Sequence, residues 1–377
     1  MLYFDAASTT PPTPEALEEY TRVAKEHFGN SSSRHGLGFD ASKILERTRN
    51  DILSSFGLSS SHRLVFTAGA SEANNLALKG VAFGYSNRGK RILSTPIEHP
   101  SVKNVLAELS SRFGFVVEYL PVNSSGVLEP STLKEAMGND VILVSVMGVN
   151  NETGTIEPLK ELASIVHAYP KAFFHSDVTQ MLGKVMVPYP NLDLFSFSGH
   201  KFGAVKGVGG LCFKKSIRLV PQVNGGEQEF GFRAGTSDVP SIASMGKALG
   251  IAYSTQAANE KKEKELRDYL RKQLEAIKEV VIHSPIDASP YVLNFSLTKH
   301  KASVVVEALS QKGIYVSSVS ACSSKGEVHS YVLEAMGKPL RECENPIRVS
   351  MLPSTTKEEI DTFVSALATI LQEVRPL

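Results

Sequence analysis

From residue 63 to residue 197, short apolar runs alternate with helical stretches, and this alternation restricts the fold more than any other feature of the chain. The runs cover 63–67, 91–94, 115–120, 141–146, 172–177 and 192–197. They are mostly continuous in Val, Ile, Leu and Phe rather than alternating with polar residues, so both faces of each strand need cover. Helical segments stand between them: one reaching about Phe83, then 99–112, 130–137 and 158–169. Strand, helix, strand in succession predicts an α/β fold with a mostly parallel sheet between helix layers. In such sheets ligands sit beyond the carboxyl ends of the strands. Gly69 to Ser71, Asn150 and Asn151, Asp177 and Gln180, and Ser198 to Lys201 all fall there.

The flanks differ. An extended, proline-rich arm reaches residue 14, a helix begins near Glu15, a loop covers 28–38, and a helix follows over 40–56. A long helical region begins near Pro240, and its charged portion, 260–268, reads as a solvated face. Strand-like 291–296, 314–317 and 347–350 then alternate with helical 302–312, 329–336 and a last helix from Lys357, a compact α+β pattern. The expected organisation is an arm over 1–14 that packs with the smaller domain, a large ligand-binding domain over 15–254, and a small C-terminal domain over 255–377.

A formal net charge of +1 gives no argument for nucleic acid or an anionic membrane as the main partner. No segment is long and uncharged enough to span a bilayer, and a cytoplasmic protein is expected. Three cysteines make no disulfide framework and no zinc spacing, so no metal is expected. Cys212, in an apolar stretch, reads as a small core residue. Cys343 lies between Glu342 and Glu344, where like charge disfavours its thiolate. Cys322 sits in a polar, flexible run, 317–326, with Lys325 nearby, which suits a reactive thiol.

The run 191–210 delivers Lys201 from an apolar strand into a turn containing Gly203, Gly207, Gly209 and Gly210. Glycines let backbone approach a ligand closely, and a lysine among apolar walls loses affinity for its proton. Such an amine can form a Schiff base with a carbonyl cofactor; the same stretch also suits a surface loop with one of many lysines. Pyridoxal 5'-phosphate (PLP) would make further demands. Asp177 is available for a pyridine nitrogen, Gln180 for the ring hydroxyl, and His99 for the ring face. Ser71, the amides of Ala70 and Ser71, Ser198 and His200 are available for the phosphate. Singly, Asp177 and Ser71 also read as helix caps, and His99 and His200 as polar residues of loops and helix starts.

The ordered set of motifs resembles the NifS/IscS type of cysteine desulfurase, group I, in the class V aminotransferases of PLP fold type I. It comprises Tyr3-Phe-Asp, Thr67-Ala-Gly-Ala-Ser-Glu-Ala-Asn-Asn75, Ile97-Glu-His99, Val149-Asn-Asn-Glu-Thr-Gly154 and His175-Ser-Asp-Val-Thr-Gln180. It continues with Ser196-Phe-Ser-Gly-His-Lys201, Arg233-Ala-Gly-Thr236, Ser320-Ala-Cys-Ser323 and Ile347-Arg-Val-Ser350. The resemblance implies Lys201 as the Schiff-base lysine, Asp177 at the pyridine nitrogen, Gln180 at the ring oxygen, and His99 stacked on the ring and active in proton transfer. It implies Ala70, Ser71, Ser198 and His200 on the phosphate, with Thr236 reaching it from the neighbouring subunit of a homodimer. Asn151, also counted among the cofactor contacts, and Arg348 would bind the substrate carboxylate. The implied reaction converts L-cysteine to L-alanine: Lys201 removes the α-proton and the Cys322 thiolate takes the sulfur as a persulfide. A mobile run over 319–330 would then hand it to a sulfur-acceptor protein, an iron–sulfur scaffold or a sulfur carrier for thio-cofactor or tRNA synthesis.

Three positions depart from the family pattern: Gly148 where a histidine is usual, Ser71 for threonine, and Glu227 for glycine. The first would alter substrate fit or cleft shape. Rival readings are another PLP enzyme of the group, such as a selenocysteine lyase, transaminase or kynurenine-cleaving hydrolase, and a non-catalytic assembly subunit. Cys322 argues against a transaminase; Lys201, Asp177, His99 and Cys322 together argue against a scaffold.

Overall fold

In a computed structural model of the chain, residues 1–318 and 329–376 are described. Strand β1 (Leu2–Tyr3) opens the arm, and helices α1 (Pro14–Glu26) and α2 (Gly36–Ser55) follow. Thr13 caps α1 by accepting from the Ala16 amide, and Pro14 stands where its missing N–H costs nothing. Helix α2 begins four residues before the expected Asp40, because the His35 side chain caps Gly38 N–H.

The alternating region builds β2 (His62–Thr67), α3 (Ala70–Gly84), β3 (Arg91–Ser94), α4 (Pro100–Phe113), β4 (Val116–Tyr119), α5 (Pro130–Ala136) and β5 (Val141–Ser145). Then come α6 (Leu159–Val166), β6 (Phe173–Asp177), β7 (Leu194–Ser198) and β8 (Gly209–Lys214). They form one seven-stranded sheet in the order β2-β8-β7-β6-β5-β3-β4. Strands β4, β3, β5, β6 and β7 are mutually parallel. Strand β8 inserts antiparallel between β7 and β2. Apolar clusters cover both faces, one around Phe174, Phe195 and Phe197, the other around Leu78, Ile92 and Phe213. Covering helices on both faces are what the continuous apolar runs require.

Helix α7 (Val239–Glu275) runs 37 residues without a break, so the expected change near 255 falls inside one helix. Its first half buries Ile242, Met245 and Leu249 beneath the large sheet, and its second half buries Leu270 and Leu274 in a separate core. The 260–268 stretch is not wholly solvated as expected: Glu263 and Arg267 are buried. Arg267 turns inward to donate to the carbonyls of Ile286 and Ala288.

The remainder contains β9 (Val280–Ile282), β10 (Val292–Leu297), α8 (Ala302–Gln311), β11 (Ile314–Tyr315), β12 (Ser317–Ser318), α9 (Tyr331–Ala335), α10 (Leu340–Glu344), β13 (Pro346–Ser350) and α11 (Lys357–Glu373). An antiparallel sheet runs β12-β13-β10-β9. The expected strand 314–317 is split: β11 pairs with β1 of the arm, and β12 pairs with β13. The arm is thus stitched to the C-terminal sheet, then crosses to the large one, where Thr10 and Thr13 bond His200 and Gly203.

Candidate active site

Five strand ends converge. The turn after β2 carries Gly69 to Ser71, the turn after β3 carries Glu98 and His99, and the turn after β5 carries Asn150 and Asn151. Strand β6 ends at Asp177, and β7 leads through Ser198 to Lys201. The turn after β2 lies so close to the sheet that a Cβ at Gly209 of β8 would stand 2.7 Å from Gly69 Cα and 2.4 Å from the Phe197 carbonyl. Glycine at 209 is therefore a steric requirement.

At one end of the cleft both oxygens of a carboxylate are paired. Asp177 is buried; its Oδ2 accepts from Asn74 Nδ2 at 2.8 Å and its Oδ1 from Thr179 N–H at 3.0 Å. Asn74 also donates to Ser101 Oγ (2.9 Å), and Ser101 stands 2.8 Å from His99 Nδ1. Since Nδ1 also accepts the Ser101 N–H as the cap of α4, the ring proton belongs on Nε2, toward the cleft. The imidazole is open to solvent on one side, yet protein around the other lowers its pKa from the ordinary value; the Asp177 charge opposes this. Gln180 is buried and donates to the Ala7 carbonyl at 2.8 Å.

The phosphate-sized corner lies at the α3 N-terminus. Ala70 N–H donates to Ser198 Oγ at 2.7 Å, which leaves the Ser198 hydroxyl proton for an incoming acceptor. Ser71 is exposed on the first turn, and the 15-residue helix behind it adds its dipole. His200 meets Thr9 Oγ1 through Nδ1 at 3.0 Å; burial, then Lys201, Lys206 and Lys184, bring its pKa down to about 4. Thr236 is exposed on a separate loop, at the rim of a cavity of about 220 Å³ shared with Thr67, Ala68 and Gly207. That loop is anchored by Glu229, which adopts φ 50° to reach Arg49 with both oxygens, at 2.7 and 2.9 Å. The Arg49 guanidinium lies between the rings of Phe66 and Phe230. Breaking such a buried pair costs about 3–5 kcal/mol.

At the other end Arg348 of β13 is nearly buried. Its Nη1 donates to the Asn151 carbonyl (3.0 Å), and its Nη2 to Asp5 Oδ1 (2.9 Å), Ser8 Oγ (2.6 Å) and Ser317 Oγ (3.2 Å). Two buried atoms here lack a hydrogen-bond partner, Arg348 Nε and Asn151 Oδ1. Lys201 Nζ donates to the carbonyls of Ala7 and Ser8 at 2.7 and 2.6 Å, so the arm lines the floor between the two ends.

Cys322 lies outside the described residues. The chain on either side of 319–328 is tied beside the cleft: Ser317 donates to Asp5 at 2.7 Å, and Ser330 to the buried Glu152 at 2.6 Å. Tyr331 OH donates to the Glu98 carbonyl. Cys212 is fully buried in the core; the Cys343 thiol is pushed up to about 11, by burial ahead of the like charges expected at 342 and 344. At Gly148, where histidine is usual, an added Cβ would meet Met181 Sδ at 2.8 Å, so methionine takes up the space beside it. Glu227 is exposed. Asn74, Asp5 and Ser317 went unassigned in the sequence, although Asn74 and Asp5 belong to the quoted motifs.

A buried carboxylate, an amide donor, a lysine and a helix N-terminus with free hydroxyls are the donor set a phosphate-bearing aldehyde cofactor needs. Among the described residues no group of three or more His, Cys, Asp or Glu could hold a metal, and no helix is long and apolar enough to cross a membrane. Sheet order and the placement of Lys201 after β7 define the class: a fold-type I enzyme of the PLP-dependent transferase fold. The class V aminotransferase family model matches residues 2–363. A "NifS/IcsS protein homolog" of Lactobacillus delbrueckii subsp. bulgaricus is 38% identical, over 99% of this chain and 97% of its own. A "Cysteine desulfurase IscS" of Dictyoglomus turgidum is 37% identical, over 100% and 96%. Among solved structures, a "NifS-like protein" superposes with a TM-score of 0.92 at 34% identity, covering 99% of this chain and 100% of that one. "SspA in complex with cysteine" gives 0.79 at 29%, covering 94% and 100%. The chain belongs to the class V aminotransferase family and, within it, to the NifS/IscS-like cysteine desulfurases.

Proposed function

We propose that this protein takes sulfur from L-cysteine, releases L-alanine, and passes the sulfur from Cys322 to an acceptor protein. The observation that carries the reading is the pairing of a satisfied carboxylate, Asp177, with an unsatisfied donor for a carboxylate, Arg348 Nε, on either side of Lys201. PLP, when bound, supplies an electron-poor ring that accepts the electron pair left at the substrate α-carbon. Asp177 holds a proton at the ring nitrogen, and Asn74 and Thr179 keep that carboxylate aimed. Gln180 offers an N–H to the ring oxygen, and His99 covers the ring face with Nε2–H toward the cleft. Ser198, His200, Ser71 and the Ser71 amide would take the phosphate, with the Ala70 amide once it leaves Ser198 Oγ, joined by Thr236 from a second subunit. Arg348 and Asn151 fix the substrate carboxylate, which orients the α-proton toward the Lys201 amine. Lys201 removes that proton and returns it, and Cys322 receives the sulfur.

We also keep the arm, large-domain and small-domain division at 14/15 and 254/255, a homodimer, a cytoplasmic location, and an iron–sulfur scaffold or sulfur carrier as acceptor. The test is alanine formation from L-cysteine by purified, cofactor-loaded protein with a dithiol reductant. Alanine and sulfide in equal amounts support the proposal; a loaded protein that makes neither overturns it. Cys322→Ala is expected to abolish turnover, and full turnover by that variant would remove the persulfide step.

A further inference from the structure

A second lysine lies in the same cleft without a part in that scheme. Lys184 follows Gln180 by one helical turn's spacing, past the turn that ends β6, and is 7% exposed. Its Nζ donates to Gln180 Oε1 at 3.0 Å. The charges acting most on it, Lys201 and Arg348, are cations; it also acts on His200, and its head lies 5.9 Å from the Tyr291 ring. Burying an ammonium against a neutral amide and two cations is costly, and an apolar residue of the same length would fill this space at less cost. Burial, then Lys201 and Arg348, lower its pKa to about 7.

The geometry has one consequence that packing does not. An amide side chain offers a carbonyl or an NH2 depending on its flip, and an ammonium has donors only. With Lys184 on Oε1, the NH2 of Gln180 must point the other way, and it does, toward the Ala7 carbonyl that Lys201 also uses. We propose that Lys184 is a positioning residue: by taking Gln180 Oε1 it commits Gln180 to present N–H rather than C=O to the ring oxygen of the cofactor, and in its protonated form it puts positive charge behind that oxygen. The proposal rests on the reading of Gln180 given above.

Donors and positive charge at a ring oxygen favour its anionic form, so they make the bound cofactor easier to deprotonate. The experiment is a pH titration of the visible absorption of the substrate-free, cofactor-loaded protein, comparing wild type, Lys184→Met and Lys184→Arg. Lys184→Met is expected to raise the midpoint by about one pH unit, and Lys184→Arg, which keeps donors and charge, to stay near wild type. Should Lys184→Met give no folded protein, Lys184→Gln keeps a donor for Oε1 without the charge and is expected to shift the midpoint upward by less. A wild-type midpoint in the uncharged variants overturns the proposal, as does an equal shift in Lys184→Arg, which would mean that shape and not polarity matters. A wild-type protein that binds no coloured cofactor overturns the reading of Gln180 and this proposal with it; a coloured wild type with unshifted variants overturns this proposal alone.

Discussion

Asp177 and Arg348 sit at opposite ends of one cleft and are prepared in opposite ways. Around Asp177 both carboxylate oxygens already have donors, and the network runs on through Asn74 and Ser101 to His99. Around Arg348 a guanidinium N–H, that of Nε, is buried without a partner, and the contacts that exist are the Asn151 carbonyl, an arm carboxylate and two serine hydroxyls. An unmade buried hydrogen bond costs about 1–3 kcal/mol per group. A resident group needs its contacts held in place between turnovers, whereas a substrate must gain something on arrival. The unpaired Nε–H of Arg348 supplies that gain.

The strongest test of the difference is the residue between the two ends. Lys201→Ala should lower alanine formation by about 10⁴-fold, since it removes the proton carrier that both ends serve. Asp177→Asn should cost about 10²–10³-fold in kcat, with weaker retention of the cofactor on gel filtration, because its contacts face the resident group. Arg348→Lys should leave the cofactor spectrum intact and raise KM for cysteine about 100-fold, because an ammonium cannot make the planar two-point contact. An equal loss of cofactor in both variants would break the division of labour. Asp5→Asn should act in the other direction, lowering KM a few-fold by withdrawing the anion that now shares Arg348.

A separate effect, on stability rather than turnover, belongs to Glu98, buried in the turn after β3, whose carboxyl is pushed up to about 8 by burial. Its folded-state pKa lies above the unfolded value, so the folded chain binds the extra proton and stability falls as pH rises between about 4.5 and 8. Glu98→Gln should flatten that slope: thermal melting is expected to match wild type at pH 5 and to exceed it at pH 9.

Much of this was legible in the chain because strands buried on both faces cannot hide among polar residues. The runs that became β3, β5, β6 and β7 needed no partner to be recognised, and the catalytic candidates lie at their ends. Strand β8 read as a glycine turn running into an apolar stretch, since its first two residues are Gly209 and Gly210, which carry no side chain to show a period. The arm's contact with Arg348 and the role of Asn74 depend on pairings made only by folding: Asp5 meets Arg348 across 343 positions, and Asn74 meets Asp177 across 103. Glu263 and Arg267 read as solvated because charged runs usually are; both are buried, and the carbonyls of Ile286 and Ala288, invisible in local pattern, turn Arg267 inward.

Gly209 points to a consequence for how this family tolerates change. It has no part in holding cofactor or substrate in any scheme above. Yet the smallest added side chain collides with two backbones at once. In a saturation library selected for activity, position 209 should come out as barren as Lys201, while exposed Ser71, at the centre of the anion corner, should still accept threonine. Mutational intolerance here traces the shape of the turn rather than the list of residues that do the work.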